Sequence, residues 1–253
     1  MTVTMNRREM IGLCGSAALW PFAAHAQPRR VLYLTHSAGY RHQAAISLSE
    51  TILRRIGQAS GLFDVTATED VSALSAENLA RYAAVMFYTT GELPMNAEQK
   101  SALLDFVRTG HGFLGAHSAT DTFYEWADYG ALIGGYFDGH PWHQSVRINV
   151  TDPSDDLVSF LGRSFDIKDE IYQIRDFDEQ GSHVLLNLDA KSVDLSREGV
   201  HQRSYGWPLA WTRSYGQGRV FYTALGHEQA VWRDARYQRL LLNAIGWSMQ
   251  RSR

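Results

Sequence analysis

The chain has 253 residues, of which 45% are hydrophobic and 20% charged, a composition typical of a globular protein with a sizeable core. Its formal net charge is −3, and lysine and arginine are scattered along it. This distribution argues against a protein that binds nucleic acid or rests on an anionic membrane surface. We therefore expect a small, weakly charged partner; the sequence leaves the oligomeric state open.

Residues 1–26 differ in character from the rest of the chain. They contain the pair Arg7 and Arg8, an apolar run over residues 10–22 and a small-residue sequence that ends at Ala26. This order is typical of a twin-arginine export signal, and the apolar run is too short for a membrane span. The segment predicts a periplasmic protein.

The predicted leader also contains Cys14, the only cysteine of the chain. A mature chain beginning near Gln27 would therefore have no thiol for a disulfide, a nucleophile or a metal site. We expect residues 28–253 to form one domain, since no linker, repeat or low-complexity stretch interrupts them.

Strands and helices alternate in the first part of this domain. Apolar runs predict strands, and helical spacing of apolar residues predicts the helices between them. The predicted strands are 30–36, 63–70, 83–90 and 112–118. Residues 37–57 begin with a turn-prone loop and continue as a predicted helix, and a second helix is predicted over 96–110. This alternation favours a three-layer α/β fold, with a mostly parallel sheet flanked by helices.

The second part of the domain is richer in strands. Short apolar stretches with brief connections predict strands, the turn at Gly216–Gly218 predicts a hairpin, and an amphipathic pattern predicts a closing helix. The predicted strands are 144–152, 165–177 and 182–190, the hairpin is 208–227 and the helix is 233–250.

Histidines and acids follow several of these strands. Because ligands of parallel sheets bind at the carboxyl ends of the strands, we expect one rim to collect these side chains. They are His36, His42, His117, Asp121, His140, His143, Asp169, Glu170, His227 and Glu228.

Imidazole and carboxylate groups together suit a zinc or manganese site, and they equally suit acid–base catalysis without a metal. Both alternatives remain open. The predicted metal contacts are His117, His140 and His143, and the predicted catalytic residues are His42, His117, Asp121 and Glu170. The predicted substrate contacts are His36, Tyr124, Trp142, Tyr172, Trp211 and His227. We expect no nucleotide cofactor.

Each of these residues also has a purely structural interpretation. Asp121 could cap a helix, Asp169 and Glu170 could be a solvated pair in a loop, and the tryptophans could pack in the core. His117 is the hardest to explain by packing. Its neighbours Gly115, Ala116, Ser118 and Ala119 are all small. Such neighbours are typical of a sharp turn that lifts a functional side chain at a strand end.

Five segments in order resemble the trehalose-utilisation ThuA-like family. They are VLYLTHSAGYRH, GFLGAHSATDTF, GGYFDGHPW, DIKDEIYQI and PLAWTRSYGQGRVFYTALGH. The resemblance implies a fold similar to class I glutamine amidotransferases, flavodoxin-like in its parallel part, with an added β-rich C-terminal part. It also implies a role in sugar utilisation and a common pocket for His42, His117, Asp121, His140, Glu170 and His227.

The amidotransferases of this fold carry a nucleophilic cysteine where this chain has His117, so amidotransferase activity is excluded on chemical grounds. Three hypotheses follow. The first is an enzyme that isomerises a keto-sugar, or eliminates a group from a glycoside, by metal- or histidine-assisted acid–base chemistry. The second is a metal-assisted glycoside or ester hydrolase, and the third is a non-catalytic sugar-binding protein.

Overall fold

The structure, a computed structural model, describes residues 27–250; the predicted leader lies outside the described residues. Eleven strands are present in this range. They are β1 (Arg29–Leu34), β2 (Phe63–Thr68), β3 (Ala84–Phe87), β4 (Gly112–Ala116), β5 (Tyr136–Phe137), β6 (Trp142–Val150), β7 (Ser164–Ile171), β8 (Ile174–Arg175), β9 (Ser182–Leu188), β10 (Pro208–Tyr215) and β11 (Gly218–Thr223).

Six α-helices connect or follow these strands in the described range. They are α1 (Gln43–Ser60), α2 (Ala76–Leu79), α3 (Ala97–Arg108), α4 (Ala127–Ile133), α5 (Gln229–Arg233) and α6 (Ala235–Ser248). The predicted helix start at Asn96 is confirmed: the Asn96 side chain accepts a hydrogen bond from the Gln99 backbone, and the Gln99 side chain accepts one from the Asn96 backbone.

Nine of the strands form one mixed sheet in the order β2-β1-β3-β4-β11-β10-β9-β6-β7. The first five strands in this order run parallel to their neighbours. From β11 onwards every pairing is antiparallel. The predicted α/β fold is therefore confirmed, with the β-rich C-terminal part as the antiparallel half of the same sheet. The strands β5 and β8 pair separately.

Helices cover both faces of the parallel half. The helices α1, α5 and α6 contact one another on one side, and α2 and α3 contact one another on the other. The strands β3 and β4 are buried along their whole length, as their unbroken apolar sequences require. Among residues 27–250, no helix combines the length and apolar character needed to cross a membrane.

The topology brings several polar loops together. Because β1, β4 and β11 are parallel, the loops that follow them lie at the same edge of the sheet. The far end of the antiparallel half also reaches this edge, since Tyr172, just after β7, contacts His117, just after β4. One rim therefore receives side chains from both halves of the sheet.

Candidate active site and metal-binding cluster

His117 lies at the tip of a sharp turn that directly follows β4. Its φ of 46° places it in the left-handed region, which is uncommon for a residue other than glycine. Strained backbone of this kind persists only where the surroundings enforce it, and it is concentrated at functional sites. The small residues before and after it are needed here: a Cβ on Gly115 would lie 2.9 Å from Tyr222 and 3.0 Å from Ala119.

The ring of His117 is fully buried and held by two contacts. Its Nδ1 lies 2.8 Å from the carbonyl oxygen of Ala224. Because a carbonyl only accepts, Nδ1 carries the proton, and the lone pair lies on Nε2. Nε2 accepts a hydrogen bond from the hydroxyl of Tyr172 over 3.0 Å. The backbone of the loop after β11 thus selects the tautomer that offers Nε2 to the rim.

Three further side chains converge on this nitrogen. His42 comes from the start of α1, Glu170 from β7 and His227 from the loop after β11. Together with His117 they each offer one nitrogen or oxygen atom, and these four atoms lie within 4.8 Å of one another. We call these four residues the His/Glu cluster. Glu170 Oε2 lies 3.6 Å from Nε2 of His117 and 3.2 Å from Nδ1 of His227.

The protonation of the His/Glu cluster follows from burial and mutual contact. Burial, reinforced by His227, lowers the pKa of His42 to about 4, and burial with His42 lowers the pKa of His117 well below its usual value. Both rings are therefore neutral at pH 7. Contact with Glu170 raises the pKa of His227 against the effect of burial. Burial disfavours the ionised form of Glu170, yet the contacts with His227, His140 and His42 together lower its pKa.

The His/Glu cluster could hold a divalent metal ion. Neutral imidazole and carboxylate are the ligands that zinc and manganese accept. The buried Nδ1 of His42 has no hydrogen-bond partner, and Nδ1 of His227 has only its 3.2 Å contact with Glu170. A buried polar atom without a partner is costly, so the cluster fits a further ligand better than it fits closed packing.

A cavity of about 290 Å³ borders the His/Glu cluster. Its walls combine aromatic rings with titratable groups, the mixture expected of a site for a small polar molecule. The lining residues are Tyr40, His42, Asp121, Phe137, His140, Glu170, Tyr172 and His227. His140 lies with its Nδ1 3.5 Å from Glu170 Oε1 and is half exposed, which places it at the edge of the cavity.

Asp121 supplies the second carboxylate of the cavity. It follows a short 3₁₀ turn, His117–Thr120, rather than opening a helix, so it is not the helix N-cap that the sequence allowed. Burial raises its pKa, and the hydrogen bond from the Tyr124 hydroxyl, 2.6 Å from Oδ1, partly opposes this shift. Tyr124 does not itself line the cavity; it contacts Asp121, which does.

Two of the predicted histidines are not members of the His/Glu cluster. The Nδ1 atom of His36 contacts the carbonyl oxygen of Glu69 at 2.8 Å, and the residue does not line the cavity. His143 directs its Nε2 to Glu228 Oε1 at 2.6 Å, with its ring centroid 5.1 Å from that of His227. The predicted metal set of His117, His140 and His143 is therefore not the set that the structure assembles.

The prediction that two tryptophans contact the substrate is wrong. Trp142 and Trp211 are fully buried, so neither can stack on a substrate. Trp142 donates its indole hydrogen to the carbonyl of Asp194, and Trp211 donates to the carbonyl of Ile133. Both are core residues, as their alternative interpretation allowed.

Two residues of the cavity were not predicted from the sequence, and one residue behind the His/Glu cluster differs from its solvated interpretation. Tyr40 and Phe137 line the cavity, and only their places within SAGYRH and GGYFDGH could have indicated it. Asp169 is not part of a solvated loop pair: it lies in β7 and is fully buried. Its carboxylate accepts hydrogen bonds from the backbone of Gly226 and Glu228, on either side of His227.

A second acidic group lies away from the rim. Asp152, Asp155 and His183 also offer three atoms within 4.8 Å of one another. These side chains are partly or largely exposed, and His183 is half exposed. The group borders no part of the cavity, so any ion held there would not serve the His/Glu cluster.

The fold is shared with solved structures. A protein described as ThuA-like from Bacteroides uniformis matches with a TM-score of 0.76 and 24% identity, over 90% of this chain and 95% of its own. Another from Parabacteroides merdae matches with a TM-score of 0.69 and 21% identity, over 88% of this chain and 90% of its own. A β-galactosidase from Bacillus circulans sp. alkalophilus matches with a TM-score of 0.54 and 13% identity, over 86% of this chain and 30% of its own.

These identities are low, and the structural matches establish the fold alone. A search among curated proteins gave no significant match. A family model named ThuA and described as trehalose utilisation matches residues 30–248, which include the whole rim. This protein therefore belongs to the ThuA family, which is implicated in trehalose utilisation.

Proposed function

We propose that this protein is an enzyme that acts on a keto-sugar or a glycoside by metal-assisted acid–base chemistry, giving isomerisation or elimination. The observation that carries the proposal is the His/Glu cluster beside a cavity that has a separate carboxylate, Asp121. Membership of a trehalose-utilisation family supports a carbohydrate substrate. The order of features in residues 1–26 supports export to the periplasm.

The His/Glu cluster and Asp121 have different roles in this proposal: the cluster binds the ion, and Asp121 is the general base. A divalent ion held by His42, His117, Glu170 and His227 would polarise a carbonyl oxygen of the sugar and so acidify the neighbouring C–H bond. Glu170, with three histidines near it, suits the role of ligand. Asp121 lies outside the cluster, and its raised pKa brings it closer to the pH at which a general base works well.

Asp121 then takes the proton from the acidified C–H bond. Asp121 can return this proton to the former carbonyl carbon, which completes an isomerisation when the hydroxyl proton of the neighbouring carbon moves to the former carbonyl oxygen. Alternatively, it can pass the proton to an oxygen that leaves the β-carbon, which completes an elimination. Tyr172 would assist both the isomerisation and the elimination. An ion held by His117 Nε2 would take the acceptor that the Tyr172 hydroxyl now uses, and this hydroxyl could then donate to a substrate oxygen.

The size and charge of the cavity support a small neutral ligand. Its volume of about 290 Å³ is at the lower end of the range for ligand sites, which favours a single sugar unit over a polymer. Among residues 27–250, those that line it include no lysine or arginine, the side chains that most often pair with a sugar phosphate. Tyr40 and Phe137 offer aromatic faces suited to the apolar face of a sugar ring.

The first test is the metal content of the folded protein. Near-stoichiometric zinc or manganese is expected in the wild type, and His117→Ala should lose it. His183→Ala is the matched control, because it removes the histidine of the other acidic group and should leave the metal in place. Wild-type protein that takes up neither ion when it is supplied would contradict the metal-assisted mechanism.

The second test identifies the reaction. A panel of keto-sugars and their glycosides is incubated in deuterated water with wild type and with Asp121→Asn. Isomerisation or elimination should exchange a carbon-bound proton for deuterium, and Asp121→Asn should suppress the exchange. Metal-assisted hydrolysis uses the same residues but leaves carbon-bound hydrogen in place. Binding of a sugar without any turnover would instead indicate a non-catalytic sugar-binding protein.

A further inference from the structure

The loop that carries His227 is fixed along its backbone. This loop, residues 224–228, follows β11 and has no regular secondary structure that would hold it. Its backbone groups are instead paired with side chains from other elements. The Ala224 carbonyl accepts from His117, and the Leu225 carbonyl accepts from the Tyr237 hydroxyl over 2.9 Å.

Gly226 is held most firmly of all. Its carbonyl accepts from the Tyr88 hydroxyl over 2.9 Å and from the indole of Trp232 over 2.8 Å. Its φ of 127° is one that side-chain-bearing residues rarely adopt, and a Cβ here would lie 3.0 Å from the Tyr237 hydroxyl. The backbone immediately before His227 therefore has little freedom to move.

Asp169 completes this arrangement from β7, the edge strand of the antiparallel half of the sheet. One carboxylate oxygen accepts from the Gly226 N–H over 2.7 Å, and the other accepts from the Glu228 N–H over 2.9 Å. The two bonds lie on either side of His227 and use both oxygens of one carboxylate. Asp169 is fully buried and does not line the cavity, so it can affect a ligand only through the residues it holds.

The strand β7 thus contacts His227 in two ways. Glu170 lies 3.2 Å from the ring nitrogen, while its neighbour Asp169 holds the backbone on both sides. Since the two acids are consecutive in one strand, β7 holds both the ring and the backbone of His227. The separation of His227 and Glu170 is then set before any ion binds, which is the condition for a preorganised site.

We propose that Asp169 is a positioning residue, which clamps the backbone on both sides of His227 and so fixes His227 relative to Glu170. Its consequence for metal binding rests on the proposed function. The clamp itself does not, because it consists of two hydrogen bonds within the protein.

The test uses Asp169→Asn, which keeps the shape of the side chain but replaces one acceptor oxygen by an NH₂ donor. One of the two N–H groups then loses its partner. The affinity for zinc alone, measured by competition with a chromophoric chelator, should fall about 10–100-fold, as for other residues that orient ligands. Amide hydrogen exchange at Gly226 and Glu228 should accelerate.

A destabilised control separates positioning from general loss of stability. Leu241→Ala removes a fully buried side chain of α6 and should lower the melting temperature. Measured well below both melting temperatures, it should leave the zinc affinity unchanged. If Asp169→Asn does not fold, Trp232→Phe replaces it: this variant removes one donor to Gly226 and should lower the zinc affinity about 3–10-fold.

The outcomes distinguish this inference from the proposed function. Zinc affinity in Asp169→Asn equal to that of the wild type, or equal losses in Asp169→Asn and Leu241→Ala, would overturn the inference. Wild-type protein that binds no zinc would contradict the metal-assisted mechanism instead. In that case the exchange data decide: unchanged exchange at Gly226 and Glu228 overturns the clamp, and faster exchange confined to this loop supports it.

Discussion

The hydroxyl of Tyr124 donates a hydrogen bond to Oδ1 of Asp121 over 2.6 Å, at the edge of the cavity. This bond favours the ionised form of Asp121, whereas burial favours the neutral form and raises the pKa. The two effects together set the pH at which Asp121 can accept a proton.

Tyr124→Phe removes this hydrogen bond and leaves burial unopposed. The pKa of Asp121 should rise further, so the acid limb of the kcat/KM profile should move to higher pH by about one unit. The measurement is the pH dependence of kcat/KM on a turned-over sugar. Tyr82→Phe, remote from the rim, should leave the profile in place; an unshifted acid limb in Tyr124→Phe would argue against Asp121 as the base.

The composition of the metal set can be tested by single substitutions. The structure places His42 in the cluster and pairs His143 with Glu228. We therefore expect His42→Ala to lose the ion and His143→Ala to retain it, as measured by metal content after dialysis. The opposite result would favour the set inferred from the sequence, in which His143 is a ligand and His42 is not.

Metal-free protein should become less stable as the pH falls from 6.5 to about 4. The pKa of His42 is lowered from 6.5 to about 4 in the fold, so over this interval the unfolded chain binds a proton that the folded chain does not. The contribution of His42 to the free energy of unfolding is fully present above pH 6.5 and is lost as the pH falls toward 4.

His42→Gln should remove the pH-dependent contribution of His42 to the free energy of unfolding. The free energy of unfolding, measured by urea titration of chelator-treated protein, should decline less between pH 7 and pH 4 in the variant. The difference is at most about 3 kcal/mol. Parallel curves for wild type and variant would show that His42 binds its proton over the same pH range in the folded and in the unfolded chain.

The turn at His117 depends on a glycine before it. Gly115→Ala places a Cβ 2.9 Å from the Tyr222 ring, so it should destabilise the fold by about 1–3 kcal/mol. Gly246→Ala is the matched control. Gly246 lies within α6, and the nearest atom to its added Cβ is 3.9 Å away, so alanine should stabilise by about 0.5–1 kcal/mol. Thermal unfolding of both variants checks the sign of each effect.

The aromatic wall of the cavity can be tested at Tyr40. This side chain is 70% exposed and its ring lies 4.8 Å from that of His42. Tyr40→Ala should raise KM about 2–10-fold, with kcat and the melting temperature almost unchanged. Leu62→Ala, at another exposed apolar side chain, should leave KM unchanged. A fall in kcat with constant KM would place Tyr40 in the chemistry rather than in binding.

The sequence by itself determined the central strands and the sharp turn at His117. Continuous apolar runs can be buried only as central strands, so β1, β3 and β4 could be located without coordinates. Small residues around His117 left a sharp turn as the simplest explanation of that position, and its φ of 46° agrees. These features depend on local sterics and on burial, both of which are encoded within short segments.

Only the tertiary structure decided which side chains meet. His42, His117, Glu170 and His227 come from four separate segments, and their convergence depends on how the antiparallel half of the sheet reaches the rim. His143 lies just three residues from His140, yet His140 lies beside Glu170 and His143 contacts Glu228. The direction of each side chain depends on its strand and its neighbours.

The same reason explains the tryptophans and Asp169. Trp142 and Trp211 belong to residue types that serve both cores and sugar sites, and only the packing around them shows that they are buried. Asp169 belongs to a type usually found in solvent, and its burial becomes understandable only when the backbone of Gly226 and Glu228 is brought against it. Sequence specified the elements because they depend on near neighbours, whereas the site depends on contacts between residues far apart in the chain.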